Sequence, residues 1–156
     1  MSLKVAFIGL GVMGYPMAGH LKNAGYETCV YNRTISKAQK WTTEYQGSFA
    51  ETPKAASENA DFVFICVGND DDLRQVVTGD EGILAGLKPG AVIVDHTTTS
   101  AEVAKELAEL AKAQGNDFID APVSGGQAGA ENGVLTVMCG GDDAVFAKAQ
   151  PVMAAF

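Results

Sequence analysis

Apolar and polar positions alternate in blocks along this chain, with short β-rich runs separated by stretches of helical period. Lys4-Val5-Ala6-Phe7-Ile8 reads as a buried strand, broken at once by Gly9-Leu10-Gly11-Val12-Met13-Gly14. A helix is predicted from about Val12 to Ala24. Pro16 falls in its first turn, where a missing N–H is tolerated, and Gly25 lies just past its end. Thr28 to Tyr31 reads as a second strand, and a helix from about Ser36 to Tyr45 follows, closed by Gly47. Thr52-Pro53 has the form of an N-cap and a first-turn proline, opening a short helix through Asn59. Phe62 to Val67 is apolar throughout, as expected of a central strand covered on both faces.

Asp70-Asp71-Asp72 opens the next helix, which runs to about Val77, and Ala91 to Asp95 is a further strand. Ser100 caps the longest helix, with Val103, Leu107, Leu110 and Ala111 on one stripe. Phe118-Ile119 starts a strand that stops at Asp120, and a glycine-rich loop follows. Val134 to Cys139 is a last strand, and Asp142 caps a closing helix. Repeated strand–helix alternation with short connections predicts a Rossmann-type, doubly wound α/β domain over residues 1–156, its sheet mostly parallel.

Composition narrows the partners. At 156 residues and 47% hydrophobic content, the chain can bury the core of one domain. Its formal charge of -8 argues against a nucleic-acid partner or an anionic membrane surface. Cys29, Cys66 and Cys139 each sit in an apolar run, and His20 and His96 are isolated, so reduced core thiols are expected and no metal cluster. No run has the length of a membrane span, and no basic leader precedes the apolar run at Leu3. A soluble, cytoplasmic protein is the expectation.

The loop Gly9 to Gly14 fits G-x-G-x-x-G between a predicted strand and a predicted helix, the context in which that spacing cradles a pyrophosphate. Gly9 allows the tight turn, Gly11 admits the diphosphate to the backbone, and Gly14 lets helix and strand pack closely. The anion then rests on N–H groups at the positive end of the helix. At the end of the second strand, where an acid would read the ribose 2′-hydroxyl, stand Asn32-Arg33-Thr34. Arg33 offers a planar fork to a 2′-phosphate, with hydrogen bonds from Asn32 and Thr34, so NADP(H) is favoured over NAD(H).

These residues carry a family resemblance. Phe7 to Ala18 resembles the signature of the β-hydroxyacid dehydrogenases, which include 3-hydroxyisobutyrate dehydrogenase and have 6-phosphogluconate dehydrogenase as a relative. Asp120-Ala121-Pro122-Val123-Ser124-Gly125-Gly126 resembles that family's substrate loop, and Asp95-His96-Thr97-Thr98 is similar to its Asp-x-Ser-Thr segment. The resemblance implies that Leu10, Val12 and Met13 line the cofactor with the loop glycines. It also implies that Cys66, Val67, Gly68 and Asp72 flank the cofactor. Thr98 would contact nicotinamide and substrate, and Ser124, Gly125 and Gly126 would hold a small carboxylate substrate, a role that glycine-rich backbone can fill. His96 stands at an often apolar position, where it either touches substrate or packs. The acids at 70–72 need no metal, since a helix N-terminus favours them.

The family's catalytic lysine lies on a long helix entering a second, helical domain. This sequence is expected to stop, at Phe156, before that helix, so no catalytic residue is assigned within it; Lys148 lacks the surrounding motif. The implied function is hydride transfer between NADP(H) and a small β-hydroxy acid or semialdehyde, with the 156 residues alone inactive. A homo-oligomer is possible in a full-length form. The alternatives are a non-catalytic NADP-binding or interaction module, and a methyltransferase-like domain binding a nucleoside donor without a diphosphate.

Overall fold

A computed structural model describes residues 3–97, 100–121, 123–124, 136–137, 149 and 151–152 of the chain. The chain begins with β1 (Lys4–Ile8), α1 (Gly14–Asn23), β2 (Glu27–Tyr31), α2 (Ile35–Tyr45), β3 (Ser48–Phe49), α3 (Pro53–Ser57) and β4 (Phe62–Ile65). It continues with α4 (Asp70–Thr78), α5 (Ile83–Gly86), β5 (Val92–Asp95), α6 (Ala101–Ala113), β6 (Asp117–Asp120), β7 (Val123–Ser124) and β8 (Thr136–Val137). Six strands form one parallel sheet in the order β3-β2-β1-β4-β5-β6. That is the dinucleotide-binding order, and it reverses direction between β1 and β4.

The apolar strands explain the layering. Every residue of β4 and β5 is buried, and so are the last four of β1. Alternate residues serve opposite faces. Phe7, Phe64, Val92 and Val94 pack with Met17, Leu21, Ala38 and Trp41 of α1 and α2. Ile8, Val63, Ile65 and Ile93 pack with Leu73, Val77, Ile83, Val103 and Leu107 of the helices on the other face. Ala149 and Val152 join the first of these cores. Among the described residues no helix is long and apolar enough to cross a membrane.

Several expectations shift. The strand expected over Val134 to Cys139 is described only at Thr136–Val137, which pairs antiparallel with Val123–Ser124 outside the main sheet. β3 and α5, two and four residues long, are too short for their periodicity to show in sequence. Gly47 does not close α2; Gln46 takes the left-handed turn at φ 64°. Gly47 is needed for room instead, because a Cβ there would strike the Trp41 ring. Leu110, placed on the buried stripe of α6, lies on its flank and is 44% exposed.

Candidate functional site

The reversal of strand order leaves a crevice beyond the carboxyl ends of β1 and β4, the place where open α/β sheets bind ligands. A cleft of about 670 Å³ lies there. Gly9 to Gly14 floor it, Tyr31 to Thr34 form one wall, and Cys66, Val67, Gly68 and Asp72 form the other. Glu51 to Pro53 and Asp80 to Gly82 close its outer end.

The floor is built as the spacing requires. Gly9 has φ +101°, and a Cβ there would collide with the Cys66 carbonyl; one on Gly14 would collide with the Gly9 carbonyl. Over Gly11 a Cβ would meet nothing within 4 Å. Leu10 donates its N–H to Asn32 Oδ1 at 3.0 Å, so the end of β2 pins the loop. The N–H groups of Gly11, Val12 and Met13 make no hydrogen bond among the described residues, and no side chain caps α1. Open space beside uncommitted donors at a helix N-terminus fits a diphosphate.

On the first wall Asn32 is structural, its amide nitrogen donating to the Thr34 carbonyl and its oxygen committed to Leu10. Arg33 and Thr34 are exposed, and the Thr34 hydroxyl makes no capping bond to α2. Arg33 reaches across the cleft, its Nη2 3.0 Å from Asp72 Oδ2.

The opposite wall hangs on a relay from β5. Asp95 Oδ1 accepts the Thr97 N–H at 2.9 Å, and Thr97 Oγ1 accepts the Val67 N–H at 3.1 Å. Asp95 is fully buried, and its Oδ2 has no hydrogen-bond partner among the described residues. Burial above all, aided by the nearby Asp120 and Asp70, pushes its carboxyl up to about 7. Cys66 is likewise pushed up to about 11, by burial and then by Asp95, so the thiol stays protonated. Cys29 and Cys66 are free thiols; Cys139 lies outside the described residues.

The three acids of α4 serve separate partners. Asp70 accepts from the Ser100 N–H and hydroxyl, tying the start of α4 to that of α6. Asp71 pairs with Arg74, and Asp72 with Arg33. His96 is buried, stacked on Phe64 at 5.8 Å, with Nδ1 2.7 Å from the Ala121 carbonyl. Nδ1 must carry the proton to face a carbonyl, and burial holds the imidazole down at about 4, hence neutral. His96 thus packs between Phe64 and the Ala121 carbonyl.

Of the sequence-derived site residues, the cleft gathers Gly9, Leu10, Gly11, Val12, Met13, Gly14, Asn32, Arg33, Thr34, Cys66, Val67, Gly68 and Asp72. Thr98, Gly125 and Gly126 lie outside the described residues, and Ser124 is described only as backbone of β7. Sequence reasoning gave Asp95 and Thr97 no role of their own in the wall and missed the outer rim at 51–53 and 80–82. An acid ending an apolar strand was the visible signal for Asp95; a two-residue β3 gave none for the rim.

Residues 4–156 match the family model described as the NAD binding domain of 6-phosphogluconate dehydrogenase. An uncharacterized oxidoreductase of Shewanella frigidimarina is 60% identical over 153 residues, covering 98% of this chain and 53% of that protein. The solved structure of Mycobacterium tuberculosis 3-hydroxyisobutyrate dehydrogenase with L-serine superposes with a TM-score of 0.92 at 31% identity, covering 99% of this chain and 52% of that one. A structure of Psf3 in complex with NADP+ and 2-OPP gives 0.91 at 31% identity, covering 97% and 54%. The chain spans about half the length of the curated relatives it matches.

Proposed function

The chain belongs to the family of the 6-phosphogluconate dehydrogenase NAD-binding domain, and on that premise we propose that it binds NADP(H) in preference to NAD(H), for an oxidoreductase of small β-hydroxy acids or their semialdehydes. The open space over Gly11, beside the uncommitted N–H groups of Gly11 to Met13, carries this reading. Those groups would hold the diphosphate, and Arg33 with Thr34 the 2′-phosphate of the ribose. The bound nicotinamide supplies hydride transfer. The chain's share is to bind and orient: the Asp95–Thr97–Val67 relay fixes a wall of the cleft, beside which the nicotinamide ring would lie. Thr98 would contact nicotinamide and substrate, and Ser124, Gly125 and Gly126 would hold the carboxylate of the substrate.

Proton transfer to the substrate oxygen is assigned to a lysine outside these 156 residues, in the second domain that the resemblance implies. A positioned acid or base contributes typically about 10²–10⁴-fold, and an open site weakens the electrostatic help that remains. The 156-residue chain is therefore expected to shift or quench NADPH fluorescence while leaving it unoxidised with succinic semialdehyde, glyoxylate or tartronate semialdehyde. Steady turnover of several per second by the purified chain would contradict the division of labour. No binding of either dinucleotide would contradict the reading itself and favour a module without a cofactor.

A further inference from the structure

The Arg33–Asp72 ion pair joins the two walls of the cleft, and its two ends are held very differently. Asp72 sits in the first turn of α4, its N–H bound by Asn69 Oδ1 at 2.8 Å, and its side chain is 22% exposed. A Cβ on Gly68 would lie 3.5 Å from Asp72 Oδ2, so the loop after β4 runs beside that carboxylate. Arg33, on the connection from β2 to α2, has a side chain 77% exposed. The carboxylate is the fixed end and the guanidinium the movable one.

We propose that Asp72 is a specificity-determining residue of the cleft, holding Arg33 across it so that a ribose 2′-phosphate must draw the guanidinium off this carboxylate. The inference rests on the reading of the cleft as a dinucleotide site. One guanidinium faces two anions, and it cannot present its bidentate fork fully to both. An ion pair this exposed is weak and opens readily. A phosphate monoester carries about -1.5 to -2 charge near neutral pH and outcompetes a single carboxylate. A dinucleotide without that phosphate leaves the pair closed. Asp72 thereby holds the preference for NADP(H) below what Arg33 alone would give.

The test is calorimetric titration of NADPH and NADH into the unmutated chain, Asp72→Asn, Arg33→Ala and the double variant, at low salt and at 0.5 M salt. Asp72→Asn is expected to tighten NADPH about 3–5-fold, the range an exposed ion pair can supply, and to leave NADH within about twofold. The gain is expected to fall below about twofold in the Arg33→Ala background and at high salt, where exposed charges are screened. Should Asp72→Asn fail to fold, Asp72→Ser serves the same comparison, and Asp72→Glu should keep the original ratio. An unchanged or weakened NADPH affinity in the neutral variant would overturn the inference alone, as would an equal gain without Arg33. Failure of the unmutated chain to bind either dinucleotide would overturn the cofactor reading and this inference with it.

Discussion

At Gly9 and Gly14 a methyl group has no room, whereas at Gly11 it would point into open space. The three residues look alike in the motif and do different work. Gly14→Ala presses a Cβ on backbone, and overpacking of this kind costs about 1–3 kcal/mol. We expect it to lower Tm by roughly 2–10 °C for a chain of this size. Gly11→Ala should leave Tm within about 2 °C and weaken NADPH by at least about tenfold, since the methyl occupies the diphosphate's place. Thermal melts paired with titrations check both, and equal destabilisation by the two substitutions would contradict the assignment. The motif's spacing made this loop readable from sequence. The contacts of Asn32, which binds the loop, and of His96, which stacks on Phe64, depend on neighbours more than 20 residues away along the chain and were not readable.

Elements long enough to show their period were placed closely, from β1 to α6, while β3 and α5 were invisible and Gln46 displaced Gly47 as the cap of α2. What joins the elements is less legible than the elements themselves. The relay from Asp95 through Thr97 to Val67 ties the end of β5 to the loop after β4, and it rests on a buried acid. With its carboxyl raised to about 7, the folded chain holds this proton more tightly than the unfolded chain, whose value is about 4. The associated stability is fully present below about pH 4 and is lost as the pH rises through 7. The facing groups are Asp70 of α4, Asp120 of β6 and Cys66 after β4. Asp95→Asn keeps the Oδ1 acceptor and removes the charge. It should therefore stabilise the chain by on the order of 2 kcal/mol at pH 8 and by much less at pH 4. Melts at the two pH values decide this, and a gain independent of pH would show that the Asp95 carboxyl holds its proton no more tightly in the folded chain than in the unfolded one.

Across the whole molecule the strand order and the two-faced core follow from the alternation of short apolar runs and amphipathic helices, and both were legible. The pairing across the cleft was legible only in part: Arg33 stood out at the end of β2, but its partner lies 39 positions along the chain on another element. We propose that this fold presents a cleft to a dinucleotide and reads its 2′-phosphate through Arg33. Isothermal titration of NADPH and NADH into the unmutated chain and into Arg33→Ala tests that most directly. A charge-assisted bond to phosphate supports a preference of about tenfold or more for NADPH. That preference is expected in the unmutated chain and its near loss in Arg33→Ala, with NADH affinity little changed. Equal affinities for NADPH and NADH in the unmutated chain would contradict it.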